Sequence, residues 1–127
     1  MPPTVLDASA VLAYLQGEPG GDVVGEHLSA SLISAVNLSE IVAKLIDKGL
    51  DEAAVDATLD SIGLEVVAFD AEQGRFAGLL RGATRKRGLS LGDRACLALA
   101  RSRGVPVLTS DRAWAEVVSG AKVRLIR

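Results

Sequence analysis

The sequence predicts an α/β domain built on a central, mostly parallel, twisted sheet of about five strands flanked by α-helices. Three observations carry this. Short apolar runs of strand length alternate with longer stretches of helical spacing along the chain. Apolar residues make up 49% of the sequence and aromatics only 3%, so Ala, Val, Leu and Ile must fill a core of close-packed layers. The 127 residues match the size of one domain and contain no repeat, low-complexity tract or linker. Residues 1–127 are therefore expected to fold as a single domain.

The elements follow in order. Thr4-Val5-Leu6 reads as a buried strand ending at Asp7, and Ala8 to Leu15 continues with helical spacing. Gly20-Gly21 breaks the chain before a short helix from Asp22 to Leu28. Leu32-Ile33 is a second strand. Leu38, Ile41, Val42, Leu45 and Ile46 form an i, i+3, i+4, i+7, i+8 stripe, which predicts an amphipathic helix that Gly49 stops. Asp51 to Ile62 is another amphipathic helix, and Glu65 to Phe69 a strand. Phe76, Leu79, Leu80 and Ala83 mark a longer helix ending by Gly88. Leu91 to Ala100 is apolar nearly all round, as a buried helix is. Val105 to Thr109 is a strand with its Pro near the start, where a missing donor is tolerated. Asp111 to Val118 is a last short helix, and Val123 and Leu125 alternate with Lys122 and Arg124 as in a charged edge strand.

Composition excludes several classes. One Cys leaves no disulfide framework, and one Cys with one His leaves no thiolate–imidazole zinc site. No apolar run approaches the roughly 20 residues that span a bilayer. The N-terminus lacks the basic start and apolar stretch of a signal peptide, so a cytoplasmic location is expected. The net charge of −2 conceals a segregation. Glu18 to Glu72 holds twelve acids and two bases, whereas Arg75 to Arg103 holds eight bases and one acid, Asp93. Such a second half can offer a basic face to a polyanion. It can equally reflect cations near a helix C-terminus.

In parallel α/β sheets, sites form beyond the carboxyl ends of the strands. Asp7 closes the first strand and Asp111 the fourth. Glu40, in Asn37-Leu38-Ser39-Glu40, and Asp93, in Ser90-Leu91-Gly92-Asp93, are placed in the first turns of helices that start on the same edge. Each acid alone reads most simply as a cap: Asn37-x-x-Glu40 has the capping-box spacing, and Ser90-x-x-Asp93 is a weaker relative of it. Four carboxylates on one rim repel each other, however, and helix dipoles offset only part of that. Hard oxygen donors without His or Cys suit Mg²⁺ or Mn²⁺. Without these four acids the chain has twelve acids and fourteen bases, so the acidic balance does not argue against a polyanionic substrate. Ser9 could orient a water or phosphate, or act as a capping hydroxyl. Thr109 and Ser110 could support Asp111.

Four segments together resemble the acidic motifs of the PIN-domain ribonucleases, and most of all the VapC toxins of type II toxin–antitoxin pairs. They are Val5-Leu6-Asp7-Ala8-Ser9-Ala10, Asn37-Leu38-Ser39-Glu40, Gly88 to Ala100 around Asp93, and Pro106-Val107-Leu108-Thr109-Ser110-Asp111. The resemblance implies a PIN-like fold and an endoribonuclease. Asp7, Glu40, Asp93 and Asp111 would hold Mg²⁺ or Mn²⁺, with Ser9, Asn37 and Thr109 in support. It also implies a structured RNA substrate, often transfer RNA, hydrolysed by metal-activated water. The partners implied are a small VapB-like antitoxin covering the site and a second copy in a homodimer, with no membrane. An RNA-processing or DNA-directed PIN nuclease and a catalytically silent PIN binding module are the alternatives.

Outside the motifs, Arg81, Arg85, Lys86 and Arg87 are candidates for RNA phosphate contact. Arg94 and Arg112 follow site acids directly and could balance them or touch substrate. His27 reads as a surface residue, Cys96 as buried packing and Trp114 as an anchor for the last helix. A signalling receiver domain also clusters acids at strand ends. It would need paired acids after the first strand and a Lys after a late strand, and neither is present.

Overall fold

The computed structural model describes residues 2–85, 88–116 and 120–127. The chain runs β1 (Thr4–Leu6), α1 (Ala8–Leu15), α2 (Gly21–His27), β2 (Ser31–Ser34), α3 (Ala35–Asp47), α4 (Glu52–Ile62), β3 (Glu65–Val67), α5 (Ala71–Thr84), α6 (Leu91–Arg103), β4 (Val107–Thr109) and β5 (Val123–Leu125), with 3-10 turns at Leu28–Ala30 and Arg112–Glu116. All five strands pair in parallel, in the order β3-β2-β1-β4-β5. This differs from the 2-1-3-4-5 order of receiver domains.

That order positions the site. The chain steps outward from β1 to β2 to β3, then returns across the sheet to place β4 on the free side of β1. The direction of winding reverses between β1 and β4, and a crevice opens beyond their carboxyl ends. Asp7 follows β1 and Ser110-Asp111 follow β4, so both strand ends empty into it.

Adjacent residues of the strands feed opposite faces, as the period of two requires. Leu6, Ile33 and Leu108 join one core with Val11, Ile41, Leu45, Val55 and Ile62, beneath α1 to α4. Val5, Leu32 and Val107 join a second with Leu80, Leu97, Leu99 and Trp114, beneath α5 and α6. Ala95 through Ala100 are all buried, so α6 is covered all round, as its apolar composition requires. Cys96 is fully buried there, and Trp114 anchors the last 3-10 turn with no exposed surface. His27 is half-buried at the end of α2 rather than on the surface.

Several boundaries move for identifiable reasons. β4 begins at Val107 because Pro106 has no N–H to donate, although its carbonyl still accepts from Val5 N–H at 2.9 Å. β3 stops at Val67 because Asp70 caps α5, accepting from Gln73 N–H at 2.9 Å. α6 runs on to Arg103, where Gly104 turns left-handed at φ 64° and closes it. The short helix expected over Asp111 to Val118 is a 3-10 turn over Arg112–Glu116, and Val118 lies outside the described residues.

The largest difference concerns α3. Its cap is Ser34, the last residue of β2, whose side chain accepts from Val36 N–H at 3.2 Å. The helix starts at Ala35, directly after the strand. Asn37 is therefore its third residue and Glu40 its sixth, so Glu40 lies beyond the first turn and Asn37-x-x-Glu40 is not a capping box.

Candidate active site

Asp7 is both a helix cap and the centre of a hydrogen-bond cluster. It is 3% exposed. Its Oδ1 accepts from Ala10 N–H at 2.8 Å, which caps α1. The Ser9 hydroxyl lies 2.8 and 2.9 Å from the two carboxylate oxygens and donates to them. The Thr109 hydroxyl donates to Oδ2 at 2.6 Å. Both hydroxyls also accept: Ser9 from Ser110 N–H at 3.1 Å, and Thr109 from Asp111 N–H at 3.0 Å. The two strand ends are thus stitched together through the Asp7 carboxylate. Ser9 is oriented towards Asp7, where it supports that side chain.

Glu40 reaches the same region from α3. Buried Asn37 donates through Nδ2 to Glu40 Oε1 at 2.8 Å and to the Gly92 carbonyl at 3.0 Å. The spacing that resembles a cap is instead a brace between α3 and α6. Gly92 completes it, because a Cβ at that position would land on the Glu40 carboxylate. Asn37 Oδ1 is buried with no hydrogen-bond partner among the described residues.

Asp93 sits in the first turn of α6. Ser90 Oγ accepts from Asp93 N–H at 3.2 Å, and Asp93 Oδ2 accepts from Ser90 N–H at 2.9 Å. The capping box is therefore formed in full. Asp111 accepts from Ala113 N–H at 2.9 Å through Oδ1 and caps the following turn. Asp7 and Asp111 are caps, Asp93 completes the capping box of Ser90, and all three share one cleft.

That cleft has a volume of about 210 Å³ and is lined by Asp7, Ser9, Glu40, Lys44, Asp93 and Asp111 together with Ala8 and Leu12. Lys44 was not among the sequence candidates. Its signal was the i+4 spacing from Glu40. Burial pushes the Asp7 carboxyl up from 3.8 to about 6; hydrogen bonds from Thr109, Ala10 and Ser9 pull it down, and the Asp93 charge pushes it up. Burial also raises Asp93. The Ser90 hydrogen bonds lower it, the Asp111 charge raises it, and Arg94 lowers it. Beneath them, burial holds the Cys96 thiol well above its usual range, reinforced by the charges of Asp7, Asp93 and Glu40. Cys96 is accordingly neutral packing.

The donor set can be tested against a divalent cation. Each of Glu40, Asp93 and Asp111 has one oxygen held by a hydrogen bond to its own element, which leaves the other without one among the described residues. Among the described residues no three acids are gathered tightly enough to close on one ion. Mg²⁺ is ordinarily bound by one or two carboxylates and keeps several waters. Free carboxylate oxygens around a cleft of this volume fit that mode, and the absence of nitrogen or thiolate donors suits Mg²⁺ or Mn²⁺.

The basic candidates are spread more widely. Arg81 and Arg85 are exposed at the C-terminal end of α5. Lys86 and Arg87 lie outside the described residues. Arg112 is exposed, next to Asp111. Arg94 is half-buried, and its Nη1 donates to the Ala77 carbonyl of α5 at 2.9 Å, which ties α5 to α6.

Comparison with known proteins is consistent with this geometry. The family model described as PIN domain matches residues 4–119. The chain is 36% identical over 114 residues to Ribonuclease VapC42 of Mycobacterium tuberculosis, covering 82% of this chain and 87% of that protein. The DNA-bound VapBC structure from Salmonella typhimurium superposes with a TM-score of 0.72 at 20% identity, covering all of both chains. The structure of Mycobacterium tuberculosis VapC20, a sarcin–ricin loop cleaving toxin, superposes with a TM-score of 0.70 at 20% identity, covering 91% of this chain and 97% of that one.

Proposed function

The chain belongs to the PIN-domain family, and from that premise we propose that it is a VapC-type toxin, a Mg²⁺- or Mn²⁺-dependent endoribonuclease that hydrolyses structured RNA such as transfer RNA and is silenced by a VapB-like antitoxin. One observation carries the reading. Asp7, Glu40, Asp93 and Asp111 come from four distant segments and line one cleft at the topological switch point. The 36% identity to a VapC ribonuclease supports the same conclusion.

In this reading one or two of the carboxylates of Asp7, Glu40, Asp93 and Asp111 would bind the cation directly and the others would reach it through its waters, while Ser9, Thr109 and Asn37 hold the carboxylates. A divalent ion bound there would supply a more acidic water and offset charge developing at phosphorus and at the leaving oxygen. The chain's own residues do the rest. Thr109 and Ser9 keep Asp7 available as a carboxylate against the cost of burial. Asn37 and Gly92 fix where Glu40 sits. Arg81, Arg85 and Arg112 would be the chain's own phosphate contacts in this reading. Antitoxin binding over the cleft would block both metal and substrate.

The test is cleavage of total RNA by purified, antitoxin-free protein in Mg²⁺, in Mn²⁺ and in EDTA, with Asp93→Asn in parallel. The expected result is discrete fragments that require metal and disappear in the variant. Metal-independent fragments, or equal cleavage by the variant, would remove the acidic cluster from the reaction.

A further inference from the structure

We propose that Lys44 is a substrate contact whose ammonium takes an RNA phosphate flanking the bond to be cut; this rests on the ribonuclease reading above. Among the described residues Lys44 is the one cation lining the acidic cleft. It lies one helical turn beyond Glu40 on α3, and a helical side chain leans towards the N-terminus of its helix. The Lys44 side chain is thus directed towards the turn that carries Glu40, and it shares the wall of the cleft with the carboxylates.

Two simpler roles do not account for it. The first is an intrahelical pair with Glu40. The Glu40 carboxylate is instead packed on Gly92 and bonded to Asn37. Among the described residues the Lys44 ammonium makes no ion pair or hydrogen bond. The second is complementing the α3 dipole, since Lys44 falls in the last turn. Lys48 already occupies the C-cap, and the Lys44 side chain leans away from the terminal carbonyls.

What remains is an unspent, exposed cation at the one place where phosphate must approach a cluster of acids. Between Glu18 and Glu72 the chain has twelve acids and two bases, so that segment otherwise offers a polyanion little but repulsion. A compact ammonium on a flexible stem is a point-charge phosphate ligand. It would hold the strand against the acids and so add to the pull of the metal.

The experiment measures binding of bulk transfer RNA to the Asp93→Asn protein over a salt series in Mg²⁺, alone and combined with Lys44→Gln or Lys44→Arg. Mn²⁺ affinity without RNA is measured on the same proteins. Lys44→Gln is expected to weaken RNA binding several-fold and to flatten the slope of log K against log salt by about 0.7 to 0.9, the share of one phosphate contact. Lys44→Arg should restore the slope. Mn²⁺ affinity should hold or tighten, because a neighbouring cation has gone. An unchanged slope and affinity in Lys44→Gln would overturn the proposal. So would a loss of RNA binding that merely follows a loss of Mn²⁺ binding. If the Asp93→Asn parent shows no salt-dependent RNA binding at all, the ribonuclease reading fails, and this contact with it.

Discussion

The Thr109 hydroxyl donates to Asp7 Oδ2 at 2.6 Å while accepting the Asp111 N–H at 3.0 Å, so one side chain spans the switch point between β1 and β4 and orders an acid on each side. Its donation to Asp7 is the largest influence opposing the upward push of burial on that carboxyl.

Thr109→Val keeps the shape and removes both bonds. It leaves a buried carboxylate short of a donor and an N–H short of an acceptor, at a cost of about 1–3 kcal/mol. Outer partners of metal ligands typically carry about 10- to 100-fold in affinity or activity. We expect Thr109→Val to lose RNA cleavage in that range and Thr109→Ser to keep most of it. Equal rates for the two variants would mean that the hydroxyl does not act through Asp7.

Asp7→Asn should abolish cleavage and yet stabilise the metal-free protein at neutral pH. The Asp7 carboxyl moves from 3.8 in the unfolded chain to about 6 in the fold, so the folded state binds the proton more tightly. Stability is greatest below the unfolded value, falls as pH rises between the two values, and stays reduced above about 6. The shift corresponds to about 2–3 kcal/mol at pH 7. Urea denaturation in EDTA should show Asp7→Asn gaining stability over the parent at pH 7 and losing that advantage near pH 4. A variant less stable than the parent at pH 7 would show that Asp7 acts as a favourable cap more than as a buried charge.

Much of this site was legible in the sequence. The alternation of strand and helix and the end positions of Asp7 and Asp111 follow from apolar runs. Asp93 was legible through Ser90-x-x-Asp93, because a capping box is a local arrangement. The position of Glu40 in its helix was not, because Ser34, the last residue of β2, caps α3 directly, while Asn37-x-x-Glu40 offered a competing cap spacing three residues later. Gly92 and Lys44 were not legible either. Their roles depend on α3 crossing the start of α6 and on the walls of the cleft, which are tertiary facts. Arg94 does act on the charge of its neighbour Asp93, but its hydrogen bond to the Ala77 carbonyl on the adjoining helix was not legible.

Glycines at two positions in neighbouring helices should respond oppositely to alanine. At Gly92 the new Cβ meets the Glu40 carboxylate, so Glu40 must move. Cleavage should fall at least tenfold, since displacements of about 1 Å at a catalytic group carry losses of about 10²-fold. At Gly78, within α5, a Cβ meets nothing within 4 Å. Gly78→Ala should therefore raise stability by about 0.5–1 kcal/mol and leave cleavage intact. Thermal unfolding and cleavage rates on both variants decide this. Intact activity in Gly92→Ala would show that Glu40 does not need the position it holds.

Metal binding should release protons near pH 6. At that pH Asp7 is about half protonated before metal arrives, and Asp93 is also raised by burial and by its neighbours. Ligand carboxylates must be ionised to bind a cation, so occupancy drives off whatever protons they hold. Calorimetry of Mn²⁺ binding in two buffers of different ionisation enthalpy reads this number directly. We expect release of about half a proton or more at pH 6, declining towards none at pH 8, with affinity rising over the same interval. Asp7→Asn should remove most of the release if it still binds Mn²⁺. Binding that is tight and proton-neutral at pH 6 would place the cation away from Asp7 and Asp93. It would leave Asp7 a buried cap whose raised pKa has no part in metal binding.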